Sequence, residues 1–281
     1  MTDGGIDLHV HTRASDGTLS PSAAVAEAKR QGVTLLSITD HDVTEGIPEA
    51  EAAAAELGVT LVPGVEVSID VDEHEVHVLG YFIQPGNPRL EAALARVRHG
   101  REHRNEEMLA RLAALGVGVS RARMLEIAGP GSVGRPHIAA ALVEAGHVGS
   151  IQEAFNRYLA RGKPAYVRRA RFEPREAAEI IRAAGGLPVL AHPAKIKSRA
   201  VMEAIVFDGM EGVEAFHPDH DAGEAERLVE FARRHSLLVT GGTDTHGPES
   251  ELSLGIGSVP VPAWVGEELR ARAPAHWSAG R

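Results

Sequence analysis

Cysteine is absent from the 281 residues of this chain, which excludes disulfides and thiolate chemistry. Any bound metal must therefore be held by histidine and carboxylate side chains, a ligand set that favours Mn, Fe or Zn. No apolar run approaches the roughly 20 residues that a membrane-spanning helix needs. The first residues form neither a basic nor an apolar leader segment. These absences predict a cytoplasmic protein with no membrane partner.

Aromatic residues make up only 4% of the chain, so stacking platforms for a nucleic-acid strand are scarce. The net charge of −10 argues against non-specific coating of DNA. That charge is uneven, because residues 96 to 171 hold 14 Lys and Arg against 6 Asp and Glu, whereas the remainder holds 15 against 33. A basic segment in an acidic protein indicates either an anion-binding surface or a solvated helix face rich in arginine.

Apolar strand-like runs alternate with amphipathic helices along most of the chain, which is the rhythm of a parallel sheet. Ser20 and Pro21 supply an N-cap and a first-turn proline for the first helix. The strand-like runs are Ile6–Val10, Thr34–Thr39, Thr60–Val65, Glu75–Ile83, Leu187–Ala191, Gly212–Phe216 and Leu237–Gly241. We therefore predict an α/β fold with about seven strands.

Between Arg89 and Tyr166 no strand-like run occurs, and the segment reads as four consecutive helices. This pattern predicts a helical insertion in a βα barrel, and it coincides with the basic stretch. We expect residues 1–99 and 167–281 to form the metal-binding barrel. Residues 100–166 would then form an insertion domain that acts as a lid or holds the substrate.

Nine potential metal ligands lie at or near the ends of the strand-like runs. Side chains alternate faces in a strand, so His9 and His11 point the same way and converge on one ion. The carboxyl ends of barrel strands form one mouth, where distant residues meet. Repetition at nearly every strand favours a polynuclear metal site over isolated packed histidines. Eight of the ligands are His9, His11, His41, Glu66, His77, His192, Asp244 and His246, and the ninth, Asp16, stands in a stretch that reads equally well as a turn.

Several motifs together resemble the PHP (polymerase and histidinol phosphatase) family. They are Asp7-Leu8-His9-Val10-His11-Thr12, Thr39-Asp40-His41-Asp42, Gly64-Val65-Glu66, Ala191-His192-Pro193 and Thr243-Asp244-Thr245-His246. In the insertion, Gly134-Arg135-Pro136-His137-Ile138-Ala139 and Gly162-Lys163-Pro164-Ala165-Tyr166-Val167 resemble the branch of small nucleotide-type phosphoesterases. The resemblance covers about residues 5 to 260 and implies a distorted seven-stranded βα (TIM-like) barrel that holds three divalent metal ions.

The resemblance also implies how the ligands are shared among the three ions. The first ion would be held by His9, His11, Glu66 and Asp244. Glu66 would bridge to a second ion held by His77 and His192, and the third would be held by Asp16, His41 and His246. His74 competes with His77 for its role, but His77 fits the family motif better.

Clustered cations suit phosphate ester hydrolysis, because they lower the pKa of a bound water and neutralise charge on phosphate oxygens. The chain has no Cys, no strand-elbow serine motif and no P-loop, so we expect attack by a metal-bridging hydroxide without a covalent intermediate. We assign catalytic roles to Glu66, Asp244 and His217. His217 and the nearby His220 follow a strand end, where they would contact phosphate or donate a proton. The residues expected to bind substrate are Arg135, His137, Lys163 and His217, with Arg168 and Arg169 as further candidates.

The leading interpretation is a metal-dependent phosphoesterase acting on a small nucleotide, such as a nucleoside mono- or 3′,5′-bisphosphate, or on a short oligonucleotide end. A 5′–3′ exoribonuclease would use the same site but would favour more aromatic stacking residues. A histidinol-phosphate phosphatase would leave the basic insertion without a role. An amidohydrolase acting on C–N bonds would not need Asp16. A non-enzymatic accessory domain would be expected to have lost ligands, and this chain retains all nine.

Overall fold

The computed structural model describes residues 5–71, 74–128, 133–168, 172–196, 198–248 and 254–277. Within these ranges the strands are β1 (Gly5–Val10), β2 (Val33–Ile38), β3 (Thr60–Val71), β4 (His74–Tyr81), β5 (Leu187–Leu190), β6 (Gly212–Phe216) and β7 (Leu238–Gly241). The helices are α1 (Pro21–Arg30), α2 (Ile47–Leu57), α3 (Pro88–Ala114), α4 (Arg121–Ala128), α5 (Arg135–Glu144), α6 (Ile151–Ala154), α7 (Pro174–Ala183), α8 (Arg199–Phe207), α9 (Ala222–Arg234) and α10 (Ala263–Ala271). A π-helical turn follows α6 at Phe155–Leu159, and a 3₁₀ turn lies at Pro193–Lys195.

The seven described strands form one sheet in the order of the chain, from β1 to β7. Neighbouring strands pair in parallel except around β4, which runs antiparallel to both β3 and β5. The predicted α/β class with seven strands is confirmed, but a uniformly parallel sheet is wrong. The reason lies in the chain between Val71 and His74, which is too short for the crossover of a dozen or more residues that a parallel pair requires.

One backbone bridge connects the two ends of this sheet order. Val10 of β1 pairs in parallel with Thr245, just after β7, and the His11 amide donates to the Thr245 carbonyl at 3.0 Å. The bridge lies where β1 and β7 end, next to three predicted ligands. Closure of the whole sheet into a barrel stays a prediction.

The helices begin and end where local chemistry favours it. Ser20 caps α1, because its hydroxyl accepts a hydrogen bond from the Ala23 amide at 3.2 Å. Gly58 ends α2 with a φ of 66°, a left-handed conformation that glycine adopts without strain. The sequence interpretation missed α10, whose buried Val265 and Leu269 have the spacing of one helix face but are separated by a glycine.

The chain divides into two compact units, Met1–Leu94 with Phe172–Arg281 and Ala95–Arg171. The first unit contains the sheet. The second unit has a separate cluster of buried apolar side chains from its own helices, including Met108, Leu112, Met124, Ile138 and Leu142. Each unit therefore buries its own hydrophobic core. Among the described residues, no helix combines the length and apolar composition needed to cross a membrane.

Candidate metal centre and active site

The centre of the site is a buried carboxylate, Glu66, that lies between two sets of histidines. Its Oε2 atom is 3.4 Å from His9 Nε2, 3.3 Å from His11 Nε2 and 3.0 Å from His41 Nδ1. Its Oε1 atom is 3.0 Å from His77 Nδ1 and 3.1 Å from His192 Nε2. The two oxygens of one side chain therefore face different groups of nitrogen ligands, which is the arrangement a bridging carboxylate needs.

Asp244 completes the first of these groups. Its Oδ1 atom lies 3.3 Å from His9 Nε2 and 3.1 Å from His11 Nε2. One ligand atom from each of His9, His11, Glu66 and Asp244 falls within 4.8 Å of the others, close enough to share one ion. The backbone of Asp244 has a φ of 50°, an uncommon conformation for a residue with a side chain, and such strain is often found at functional sites.

A second set of side chains gathers around Asp16. One ligand atom from each of His11, Asp16, His41 and His246 also falls within 4.8 Å of the others. Asp16 Oδ1 is 3.5 Å from His246 Nε2 and 3.6 Å from His11 Nδ1. Asp16 is therefore part of the site and not only of a turn, although its local sequence is equally typical of a turn.

The antiparallel course of β4 explains how His77 reaches the site. His77 pairs with Ser68, two residues beyond Glu66 on β3, so His77 and Glu66 point to the same face of the sheet. Glu66 does not follow a strand, as the predicted run Thr60–Val65 implied, because β3 continues to Val71. His77 lies inside β4, as it lies inside the predicted run Glu75–Ile83. The side chain of the competing His74 lies outside the described part of the structure.

The donor set fits divalent cations. The buried atoms His9 Nε2, His11 Nε2, His41 Nδ1 and Glu66 Oε2 have no hydrogen-bond partner, although they approach one another closely. Nitrogen lone pairs and carboxylate oxygens repel at such distances unless a proton or a cation lies between them. Burial by itself would lower the pKa of His11, but Asp244 and Glu66 outweigh it and raise the pKa to about 10. The site therefore attracts positive charge, which metal ions would supply in place of protons.

The structure also brings in Glu214, a residue that the sequence interpretation did not select. Glu214 lies fully buried in β6, where it accepts a hydrogen bond from His9 Nδ1 at 3.0 Å and one from the His192 amide at 2.8 Å. Donation from Nδ1 leaves the Nε2 lone pair of His9 directed at Glu66 and Asp244. Burial opposes ionisation of Glu214, but His9 outweighs it and lowers the pKa of Glu214 to about 2. The sequence feature that could have identified Glu214 is its position as an acidic residue inside an otherwise apolar strand, β6.

Two other aspartates position the predicted ligands. Asp40 accepts hydrogen bonds from the Thr12 amide and hydroxyl and from the Ser15 hydroxyl, at 2.6 to 2.7 Å. These bonds hold the loop between His11 and Asp16, so Asp40 supports ligands and its oxygens are already occupied. Asp7 accepts from the amide of Thr243 at 2.9 Å and so joins β1 to the loop that carries Asp244.

His217 faces the site from the end of β6. Its Nε2 atom is 3.3 Å from Asp244 Oδ2, and its Nδ1 atom accepts a hydrogen bond from the Asp219 amide at 3.1 Å. This pattern corresponds to a neutral imidazole with its proton on Nε2. His220 has a different role, since its Nδ1 donates to the Ala215 carbonyl at 2.9 Å and its Nε2 accepts from the Ala194 amide at 3.3 Å. Both nitrogens of His220 are used in holding the loops together.

The predicted substrate residues Arg135, His137 and Lys163 lie in the second unit. Arg135 begins α5, and its guanidinium lies over the Phe155 ring at 5.8 Å from the ring centre. His137 accepts a hydrogen bond from the Gly134 amide at 3.0 Å, which organises the start of the same helix. Lys163 and Arg168 are exposed, and Arg169 lies outside the described residues. Their roles in binding substrate stay predictions.

Comparison with known proteins agrees with this geometry. The model of the PHP domain matches residues 7–182, which is more than half of the chain. The chain belongs to the PHP family. A 3′,5′-nucleoside bisphosphate phosphatase from Chromobacterium violaceum is 37% identical over 249 residues, covering 86% of this chain and 87% of that protein. A 5′-3′ exoribonuclease from Haemophilus influenzae is 34% identical over 268 residues, covering 92% of this chain and 97% of that protein.

Two solved structures show the same fold over nearly the whole chain. A Chromobacterium violaceum protein described as an amidohydrolase, with bound sulfate and no metal, superposes with a TM-score of 0.81 at 35% identity, covering 95% of this chain and 96% of its own. A candidate metal-dependent phosphoesterase from Bifidobacterium adolescentis superposes with a TM-score of 0.79 at 32% identity, covering 96% of each chain. These similarities extend beyond the sheet, because they include both units.

Proposed function

We propose that this protein is a metal-dependent phosphoesterase that removes a phosphate group from a small nucleotide, such as a nucleoside 3′,5′-bisphosphate. The observation that carries the proposal is the position of the fully buried Glu66 side chain, whose two oxygens face separate sets of histidines. The similarity to a 3′,5′-nucleoside bisphosphate phosphatase over most of both chains supports the substrate class.

Three divalent ions of Mn, Fe or Zn would occupy the site. His9, His11, Glu66 and Asp244 would hold the first, Glu66 with His77 and His192 the second, and Asp16, His41 and His246 the third. Bound there, such ions would activate water near neutral pH and neutralise charge on the phosphate. Mixed imidazole and carboxylate ligation, without thiolates, suits these metals.

The residues of the chain contribute binding and charge stabilisation. His217 carries its proton on Nε2, which faces the same space as Asp244. We assign to His217 a hydrogen bond from Nε2 to a phosphate oxygen or to the leaving oxygen. This bond offsets negative charge as the P–O ester bond breaks and the water oxygen becomes bonded to phosphorus, and the leaving oxygen takes its proton from water. Glu66 and Asp244 keep their assigned catalytic role as the carboxylates that hold the ions. Arg135, His137 and Lys163 would hold the remainder of the substrate.

A 5′–3′ exoribonuclease acting on short RNA is the second candidate. It is supported by the similarity to the exoribonuclease from Haemophilus influenzae, which covers 97% of that protein. Salt bridges on the second unit weigh against a continuous path for an RNA backbone. Arg111, Arg123 and Arg157 in that unit are paired with neighbouring glutamates, for example Arg123 with Glu144 at 2.7 Å. Their charge is therefore partly neutralised within the protein.

A screen that measures released phosphate, nucleotide and amine separates the two candidates. Protein reconstituted with Mn, Fe or Zn would be supplied with nucleoside mono- and 3′,5′-bisphosphates, histidinol phosphate, short 5′-phosphorylated RNA and a simple amide substrate. We expect the bisphosphates to be turned over fastest and elemental analysis to find more than one metal ion per chain. Faster release of nucleotides from RNA would favour the exoribonuclease, and full activity with one ion or fewer would reject the trinuclear arrangement.

A further inference from the structure

Lys195 stands at the rim of the metal-ligand group, although nothing in the sequence distinguished it. Its ammonium Nζ lies 3.4 Å from Asp244 Oδ2 and 3.4 Å from Asp219 Oδ2. The opposite oxygen of Asp244 is the one that faces His9 and His11. Lys195 is therefore separated from the predicted first metal position by a single carboxylate.

The backbone holds Lys195 at this position. It ends the 3₁₀ turn Pro193–Lys195, which begins directly after His192, and its own amide donates to the His192 carbonyl at 3.0 Å. The Ala194 amide donates to His220 Nε2, which fixes the turn to the end of β6. The side chain of Lys195 is 44% exposed, whereas that of Asp244 is 14% exposed. The ammonium group is therefore close to the site and still accessible to a ligand.

His217 shares this environment. Its Nε2 proton faces the same Asp244 Oδ2 atom as the ammonium of Lys195, and its Nδ1 is held by the amide of Asp219, the second partner of Lys195. Two hydrogen-bond donors, the His217 Nε2–H group and the positively charged Lys195 ammonium, thus converge on Asp244 Oδ2 at the edge of the predicted metal ligands. Such a pair is suited to an anionic oxygen that lies next to the metal ions.

We propose that Lys195 is a substrate-binding residue that makes the site selective for terminal phosphate monoesters over phosphodiesters. A monoester carries two negative charges near neutral pH, whereas in a diester one of those oxygens is esterified and only one charge remains. Lys195 binds the additional anionic oxygen of the monoester. This inference rests on the proposed function and deepens it, because it assigns the choice between a phosphatase and an exonuclease to one residue.

The test uses the metal-loaded full chain and the variants Lys195→Met and Lys195→Arg. Methionine keeps much of the stem and removes the charge, and arginine keeps the charge. Lys29→Met on α1 is the matched control. We expect Lys195→Met to lower kcat/KM for p-nitrophenyl phosphate about tenfold to hundredfold and for bis(p-nitrophenyl) phosphate by less than about threefold. Lys195→Arg should restore most of the monoester activity, and Lys29→Met should change neither.

A binding measurement decides the inference independently of turnover. Calorimetric titration with inorganic phosphate should show affinity about tenfold weaker for Lys195→Met than for the wild-type chain, while dimethyl phosphate should bind both equally. Metal content and thermal midpoint should be unchanged. Equal losses on monoester and diester, lost metal or unchanged phosphate affinity would overturn the proposal and leave Lys195 as a structural partner of Asp219. If the wild-type chain hydrolyses no phosphate ester, the proposed function fails while the phosphate titration still decides the role of Lys195.

Discussion

Replacing Glu214 by glutamine should weaken metal binding, although Glu214 is not itself a predicted ligand. The carboxylate accepts two hydrogen bonds, one from His9 Nδ1 at 3.0 Å and one from the His192 amide at 2.8 Å. Glutamine has almost the same shape but only one acceptor oxygen. Its NH₂ group must face one of the two donors, and both of these are buried.

The glutamine NH₂ group costs less free energy facing His9 than facing the His192 amide, because an imidazole ring can change its tautomer and a backbone amide cannot. If the glutamine NH₂ faces Nδ1, His9 must accept there and carry its proton on Nε2, the atom that faces Glu66 and Asp244. A protonated Nε2 cannot bind a metal. A hydrogen bond to a charged group is worth about 1.5 to 3 kcal/mol, which corresponds to a roughly tenfold to hundredfold loss of affinity.

The measurement is a chelator competition that gives the affinity of each ion, together with kcat at saturating metal. Glu211→Gln is the matched control, because Glu211 is also beside β6 but forms a partly exposed ion pair with Arg182 at 2.7 Å. Such pairs contribute about 0 to 1 kcal/mol, so this control should keep wild-type metal affinity. Wild-type affinity and stoichiometry in Glu214→Gln would refute the assignment of the His9 tautomer to Glu214.

Three further outcomes follow from the same geometry. Glu66→Ala should remove metal from both sets of ligands that Glu66 faces and abolish activity, whereas His246→Ala should lower the metal content by about one ion. Elemental analysis of the two variants measures the difference, and equal losses of metal would reject the bridging role of Glu66. Arg135→Ala should raise KM roughly tenfold or more for a nucleoside bisphosphate and change the kinetics with p-nitrophenyl phosphate little. Equal effects on both substrates in steady-state assays would instead indicate that Arg135 contributes to folding or to the chemical step. Metal-free protein should be most stable near pH 6.5: burial lowers the pKa of His192 to about 4, so stability is lost as pH falls below 6.5. Nearby carboxylates overcome burial and raise the pKa of His11 to about 10, so stability is also lost as pH rises from 6.5 towards 10. Denaturant unfolding across this pH range measures the effect, and a monotonic dependence of stability on pH would contradict it.

Much of the cluster of histidines and carboxylates could be predicted from the sequence alone, because local rules bring these side chains together. Strand alternation placed His9 and His11 on one face, and the βα rhythm put distant residues at the same ends of strands. The absence of cysteine by itself restricts the metal chemistry to nitrogen and oxygen ligands. The α/β class with seven strands followed from the same periodicity and was confirmed.

Other features depended on which residues meet across the sheet, and no local pattern contains that information. The antiparallel β4 places His77 on the same face of the sheet as Glu66, which lies inside β3 and not after it as predicted. Glu214 acquires its importance only because β6 brings it to His9. Lys195 matters only because a turn after β5 places it beside Asp244, which follows β7. The sequence alone determined which residue types were available for metal and phosphate chemistry. The tertiary structure decided which ring nitrogen of each histidine faces which carboxylate oxygen.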